Sequence, residues 1–458
     1  MKMYYNQSFL SLPQNMASYV RVKEAIVVTP SEPTPSRILS LSSLDSQLFL
    51  RFPIEYLLLY NHHRPSSSTA AAALHRQTTT STIKSALARA LVPYYPLAGR
   101  VRHNQQDPSR LEVVCRAQGA LFIEAVSDSV AGDFDKAPKS VTQWRKLLPF
   151  LGADVLKGAP PLAVQLTWLA DGSAVLGVGF GHCLCDGIGS AEFLNLFGDL
   201  ATGKVKLGEL KQKPVWERHL LNSNPETVED ILASHRNYHP EFNRVADLCS
   251  FETRFSEDGL TPTSTIFDGR RLNELRKISE SSTLFTSFEL LSAHIWRCWG
   301  RSLNLPANQV LKLLFSVNIR DRVKPGLPSG YYGNAFVLGC ARTTVKDLSD
   351  KGLGHIAGLV KKAKERIGDE YVREVVESVS GGVSPDSVGV LILSQWSRLG
   401  LDRIDFGMKK PVHVGPICCD RYCLMLPVHD QTDAVKVMLA VPHGAVDSYQ
   451  YFITTPSS

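Results

Sequence analysis

Several features that would place this chain outside the ordinary globular class are missing. No stretch approaches the roughly 18 consecutive apolar residues of a membrane-spanning helix, so none is expected. The opening segment MKMYYNQSFLSLPQN lacks the apolar centre of a secretory leader, and residues 1–15 are expected to be a dispensable extension ahead of Met16. Without a leader, the glycosylation-like triplet Asn6-Gln7-Ser8 carries little meaning. The nine cysteines, from Cys115 to Cys423, contain no C-x-x-C pair, which argues against a zinc ribbon or a thioredoxin-like motif. Their odd number and wide scatter suit reduced thiols in the cytosol better than a disulfide framework, and Cys418-Cys419 reads as core packing. Excess charge of one sign is small: Lys+Arg 50 against Asp+Glu 44, a net +6. With no concentrated basic stripe, nucleic acid is not an expected partner, whereas a phosphorylated small molecule is compatible with this balance.

What is present is a long chain of ordinary composition. At 458 residues, 44% of them hydrophobic, it exceeds what one core usually supports, and two domains are expected. A short strand at Glu24–Thr29 is followed by turn prolines at Pro30, Pro33 and Pro35. Residues 61–82 read as a polar loop running into a helix over Ile83–Val92, stopped by Pro93 and Pro96. Leu111, Val113 and Cys115 alternate as in a half-buried strand. Residues 162–169 and 174–180 form two strand-like runs separated by Asp171-Gly172, a strong hairpin signal. In the second run Leu176, Val178, Phe180 and His182 share one face, with Gly177, Gly179 and Gly181 on the other, where a neighbouring element can come close. After Gly187 the period becomes helical through Ile188, Ala191, Leu194 and Phe197. Residues 203–240, rich in lysine, proline and polar residues, read as a crossover between domains. Beyond them come a helix over Phe285–Trp299, strands at Val310–Val317 and Asn334–Leu338, a charged helix over 354–378, and alternating strands and turns to the end. The pattern is α/β with mixed sheets.

His-x-x-x-Asp occurs four times, at His103/Asp107, His182/Asp186, His429/Asp433 and His443/Asp447, so the spacing alone selects nothing. Only His182 follows an apolar strand, and only Asp186 leads through a glycine into an amphipathic helix. A neutral imidazole, with an intrinsic pKa of about 6.5, suits removal of a proton from an attacking nucleophile. Asp186 would either orient that imidazole directly or hold the turn by pairing with an arginine, and a tight turn favours the second. The competing readings are a histidine that merely closes a strand, a metal site built from His182, Cys183, Cys185 and Asp186, and a thiol nucleophile at Cys185. No second ligand cluster lies near in sequence, and alternation sends the cysteines away from His182.

Other segments carry a family resemblance. The HxxxDG of His182–Gly187, Tyr95-Pro96-Leu97-Ala98-Gly99-Arg100, Thr286-Ser287-Phe288-Glu289 with Ala293-His294-Ile295-Trp296-Arg297, Asn318-Ile319-Arg320-Asp321-Arg322, Tyr332-Gly333-Asn334 and Asp405-Phe406-Gly407 stand in order along the chain. Together they resemble the plant BAHD acyltransferases over nearly the whole length. The resemblance implies two chloramphenicol-acetyltransferase-like domains with a channel between them: residues 16–202 carrying HxxxDG, a crossover at 203–240, and residues 241–458. It further implies a cytoplasmic monomer with no metal and no permanently bound cofactor. Acyl-CoA would be the co-substrate and a small-molecule alcohol the acceptor, with His182 and Asp186 at the catalytic centre. Gly187, Arg320, Arg322, Asp405 and Gly407 would support the site. Arg320 or Arg322 would pair with Asp186, with Arg297 as a rival. Arg398 would grip an acceptor carboxylate, and Lys312, Lys324, Lys409 and Lys410 would meet coenzyme A phosphates, although exposed lysines are more often simply solvated. One departure stands out. The family's DFGWGKP is here Asp405-Phe406-Gly407-Met408-Lys409-Lys410-Pro411, and a lysine at a glycine position suggests an altered turn. A weakened homologue that acts by binding, or one that acylates an amine, is therefore the alternative.

Overall fold

The computed structural model describes residues 19–61, 69–135, 138, 140, 142–149, 155–223, 239–255, 259–280, 283–415 and 422–456. The expectations for residues 1–15, Asn6, Met16, Cys418 and Cys419, and for part of the crossover, lie outside them.

Two six-stranded mixed sheets organise the chain. The strands are β1 (Val20–Val28), β2 (Arg37–Ser40), β3 (Pro53–Tyr60), β4 (Arg100–His103), β5 (Leu111–Cys115), β6 (Ala120–Ser127), β7 (Leu162–Trp168), β8 (Ala174–Gly181), β9 (Leu260–Phe267), β10 (Val310–Asn318), β11 (Phe336–Thr344), β12 (Val390–Gln395), β13 (His413–Gly415), β14 (Tyr422–Val428) and β15 (Gln431–Pro442). The first sheet runs β1-β6-β7-β8-β3-β13 and the second β11-β10-β12-β14-β15-β9; β2-β5-β4 form a small third sheet. The principal helices are α1 (Thr69–Ala90), α2 (Gly187–Ala201), α3 (Gly269–Ile278), α4 (Ser287–Ser302), α5 (Leu353–Glu365), α6 (Asp369–Ser380) and α7 (Val446–Thr454). No described helix is long and apolar enough to cross a membrane.

The β7–β8 hairpin forms where expected. Gly172 takes φ +88°, and Asp171 closes the turn by accepting from Ser173 N at 3.0 Å. Every residue of both strands is buried, as central strands covered on both faces require. Gly177 is needed on the outer face: a β-carbon there would lie 2.4 Å from the carbonyl oxygen of Leu147. Behind the sheet, α1 and α2 supply Ile83, Leu87, Phe193, Leu194 and Phe197 to the first core. In the second core α4 contributes the fully buried Trp296 and Trp299, and its start carries a capping box in which Thr286 and Glu289 satisfy each other's backbone N–H groups.

Two sequence expectations are corrected. Helix α1 starts at Thr69: the alanine and threonine run read as loop belongs to it, and its Thr79 and Thr80 are buried, with Trp168 Nε1 donating to Thr80 Oγ1 at 3.4 Å. The helix expected over 354–378 is two, α5 and α6, separated at Gly368, whose extended backbone precedes the second. The segment that follows β12 leaves the second sheet: Trp396, Leu401, Ile404, Phe406 and Met408 enter the first core, and β13 pairs antiparallel with β3. The first sheet is thus completed by residues nearly 400 positions from its first strand, outside the expected range 16–202.

Candidate active site

His182 follows the last residue of β8, which pairs with Pro53 of β3. Its backbone N–H donates to Phe52 O at 3.0 Å, and Leu184 N–H to Gly181 O at 2.9 Å, so the chain turns sharply there. Asp186 then caps α2, accepting from Gly189 N at 2.9 Å. The helix begins close to the second half of the chain. A β-carbon on Gly189 would lie 2.0 Å from the carbonyl oxygen of Tyr332, so only glycine fits. Gly187, singled out in the sequence, has only ordinary contact with Leu399.

The Asp186 carboxylate turns toward arginine. Arg320 Nη1 donates to Oδ2 at 2.9 Å and Nη2 to Oδ1 at 3.0 Å, the two-pronged geometry natural to guanidinium and carboxylate. Ala335 N adds a third donor to Oδ2 at 3.1 Å. Arg320 also donates to the carbonyls of Tyr331 and Gly333. The rivals are engaged elsewhere: Arg322 with the carbonyls of Lys364 and Ile367, Arg297 with that of Ser349. Of the two roles open to Asp186, the geometry gives the one that pins the turn and joins the two halves.

The imidazole stands at the seam between the sheets. Phe52 meets it edge-on at 5.2 Å between ring centroids, Phe336 lies 6.1 Å away, and Tyr422 stacks on Phe52. His182 Nδ1 lies 3.1 Å from Asn334 Oδ1, while Nε2 makes no hydrogen bond among the described residues. The residue keeps partial contact with solvent, yet enough protein surrounds it to lower its pKa; burial dominates, and the nearby Asp186, Asn334 and Asp45 only partly offset it. The ring is therefore neutral at neutral pH. The thiols beside it are of the opposite kind. Burial pushes Cys183 up to about 12 and Cys185 well above the usual thiol range, which leaves neither available as a thiolate.

The remaining expected site residues do not converge on His182. Arg398 is exposed, on the turn after β12 that carries Leu399 against Gly187. Lys312 is wholly buried, its ammonium 3.1 Å from Asp386 and bonded to Asn243 O, so it has no free charge to offer a phosphate. Asp405 and Gly407 close their own turn, with Gly407 N donating to Asp405 Oδ1 at 2.8 Å. The exposed Lys409 and Lys410 precede Val412, whose N–H meets Leu59 O. The Leu59–Val175 pair lies about 20 Å along the strands from the pair that places His182. Lys409 takes φ +67°, the left-handed backbone that glycine favours.

Three residues at the centre were not assigned from the sequence. Asn334 stood within a recognised segment without a role. Asp45 sits in Leu41-Ser42-Ser43-Leu44-Asp45, and Arg218 in the polar crossover. Arg218 is fully buried, 3.3 Å from Asp45, with Nη2 donating to Leu184 O at 2.7 Å and its guanidinium over the rings of Trp216, Tyr332 and Tyr331. Gly333 leaves room for it, since a β-carbon there would meet Arg218 Nη1 at 1.3 Å.

Two mixed sheets meeting at a neutral, largely buried histidine define a two-domain α/β acyltransferase architecture. The profile of the Transferase family matches residues 18–451, and the chain belongs to that family, the BAHD acyltransferases. It is 33% identical to taxadien-5-alpha-ol O-acetyltransferase of Taxus chinensis, covering 94% of this chain and 95% of that protein. It is 30% identical to 3'-N-debenzoyl-2'-deoxytaxol N-benzoyltransferase of Taxus canadensis, again over 94% and 95%. In fold it is similar to vinorine synthase (TM-score 0.70, 22% identity, 94% of this chain and 96% of that one). It is also similar to F. sporotrichioides TRI101 complexed with coenzyme A and T-2 (TM-score 0.66, 17% identity, 91% and 97%). The protein is an acyltransferase.

Proposed function

We propose that this protein transfers an acyl group from a coenzyme A thioester to a hydroxyl, with both substrates bound together and His182 as general base. The observation that carries the reading is the imidazole at the seam: neutral, partly open to solvent, tethered through Nδ1 and, among the described residues, without a hydrogen bond at Nε2. Nε2 takes the hydroxyl proton as the oxygen attacks the thioester carbonyl carbon. The tetrahedral adduct then expels the thiolate, breaking the C–S bond, and the imidazolium returns its proton to sulfur. No covalent enzyme intermediate is needed. Asp186 and Arg320 serve by fixing the turn and the approach of the two halves, and Gly187 by starting the helix. On this reading Arg398, exposed on the turn that carries Leu399 against Gly187, grips a carboxylate of the acceptor where one is present.

Support for the donor comes from the family and from the coenzyme A complex of a protein with the same fold. The O-acetyltransferase among the relatives favours a hydroxyl acceptor; the N-benzoyltransferase marks an amine as the competing one. We place the enzyme in the cytosol as a monomer. The free thiols of Cys115, Cys183, Cys185, Cys249, Cys298 and Cys340 suit a reducing compartment. A matrix of acyl-CoAs against alcohols and amines, read by mass spectrometry with thiol release in parallel, tests the reaction. Ester formation with one thiol freed per product is expected. Thiol release without ester, amide only, or no turnover with any pair would overturn it.

A further inference from the structure

A histidine base works only if the nitrogen facing the nucleophile lacks a proton, and the two neutral tautomers are nearly equal in energy until a partner chooses between them. Here the partner of Nδ1 is the side-chain amide of Asn334, which itself could face either way. Its NH2 group lies 2.7 Å from His182 O and 2.8 Å from Asp45 Oδ1, both acceptors. Reversing the amide would set its oxygen against a carbonyl and a carboxylate. The amide oxygen therefore faces Nδ1, and Nδ1 must donate.

Asp45 is built to hold this arrangement. Its Oδ1 also accepts from Asn334 N at 3.0 Å, while Oδ2 accepts from Ser42 N at 3.1 Å and Ser42 Oγ at 2.7 Å. Arg218 lies 3.3 Å from both oxygens and balances the charge in a place where neither side chain meets water. Both Asp45 oxygens are thus hydrogen-bonded, and the cluster is directed at one ring nitrogen.

We propose that Asp45 is a positioning residue: acting through Asn334, it fixes His182 as the Nδ1–H tautomer and leaves Nε2 as the proton acceptor. Arg218 keeps that carboxylate in place. The inference rests on His182 being the base, but its direct readout does not. In protein labelled with 15N-histidine, the ring nitrogens of His182, found among 13 histidines by difference from His182→Gln, report which nitrogen carries the proton. At neutral pH Nδ1 should be protonated and Nε2 bare; the reverse in the unmodified protein would overturn the proposal, whatever the enzyme's substrates.

Asp45→Asn keeps the shape and removes the charge that selects the amide orientation. The His182 tautomers should then mix, and kcat should fall about a hundredfold with KM for acyl-CoA nearly unchanged. The acid limb of the rate profile should also move to lower pH, because Asp45 is one of the groups that raise the His182 pKa. A merely structural aspartate would lower stability without moving the ring proton or that limb, and such a result would refute the inference. Should Asp45→Asn fail to fold, the measurement on the unmodified protein still decides.

Discussion

Two buried ionic clusters, one in each half of the molecule, contain a histidine, and they treat it in opposite ways. At the seam, His182 is tethered at one nitrogen only, and burial lowers its pKa. In the second half, His239 lies between Glu374, 2.8 Å from Nε2, and Glu241, 3.4 Å from Nδ1, while Tyr371 donates to Glu241 at 2.6 Å. There burial would lower the pKa, but the two carboxylates outweigh it and raise it. One cluster keeps a basic nitrogen uncommitted; the other uses both nitrogens to hold charge together. Burial of a titratable group is therefore no sign of catalysis in itself. What distinguishes the seam is a ring nitrogen, His182 Nε2, with no hydrogen bond among the described residues.

Exchanging each histidine tests that contrast most strongly. His182→Ala should reduce turnover about 10³-fold with little change in the urea midpoint, as expected for loss of a general base; activity within tenfold of the unmodified enzyme would reassign the role. Next in size is the ion pair that joins the halves. Arg320→Ala strands Asp186, whose side chain is 6% exposed, and should cost about 3–5 kcal/mol in urea unfolding. His239→Gln should leave kcat untouched and cost about 1–2 kcal/mol at pH 6. Because the folded pKa of His239 is raised, its contribution is complete below the unfolded value of about 6.5 and fades as pH rises through the folded one, so the two proteins should converge in alkaline buffer. A gap that widens with pH would mean that the carboxylates do not hold a charged ring. The smallest effect belongs to the loop far from either cluster. Lys409→Gly relieves a left-handed backbone and should stabilise by about 0.5–1 kcal/mol without affecting turnover.

How far the sequence revealed this site depended on the range of the interactions. The strand, turn and helix around His182 were readable because their period is local, and Asp186 is followed at once by the helix it caps. Arg320 was one of three candidates, since nothing local says which guanidinium crosses 134 positions to reach Asp186. Asp45 and Asn334 are 289 positions apart, and neither has meaning alone. Arg218 hid in a stretch whose lysines and prolines signal a solvated linker, although the residue itself fills a slot opened by Gly333. Lys312 misled for the opposite reason. Lysine is normally a surface residue, but β10 lies between two other strands and its faces are covered, so this one is buried and paired.

The short strand β13 carries a consequence for how the polypeptide can be divided. Because it runs along β3 and brings Phe406 and Met408 into the opposite core, a fragment ending in the crossover would have a bare sheet edge and an unfilled apolar hollow, and should aggregate when expressed alone. A protease nick in the same crossover should be harmless by comparison, the two pieces remaining clasped until denaturant separates them.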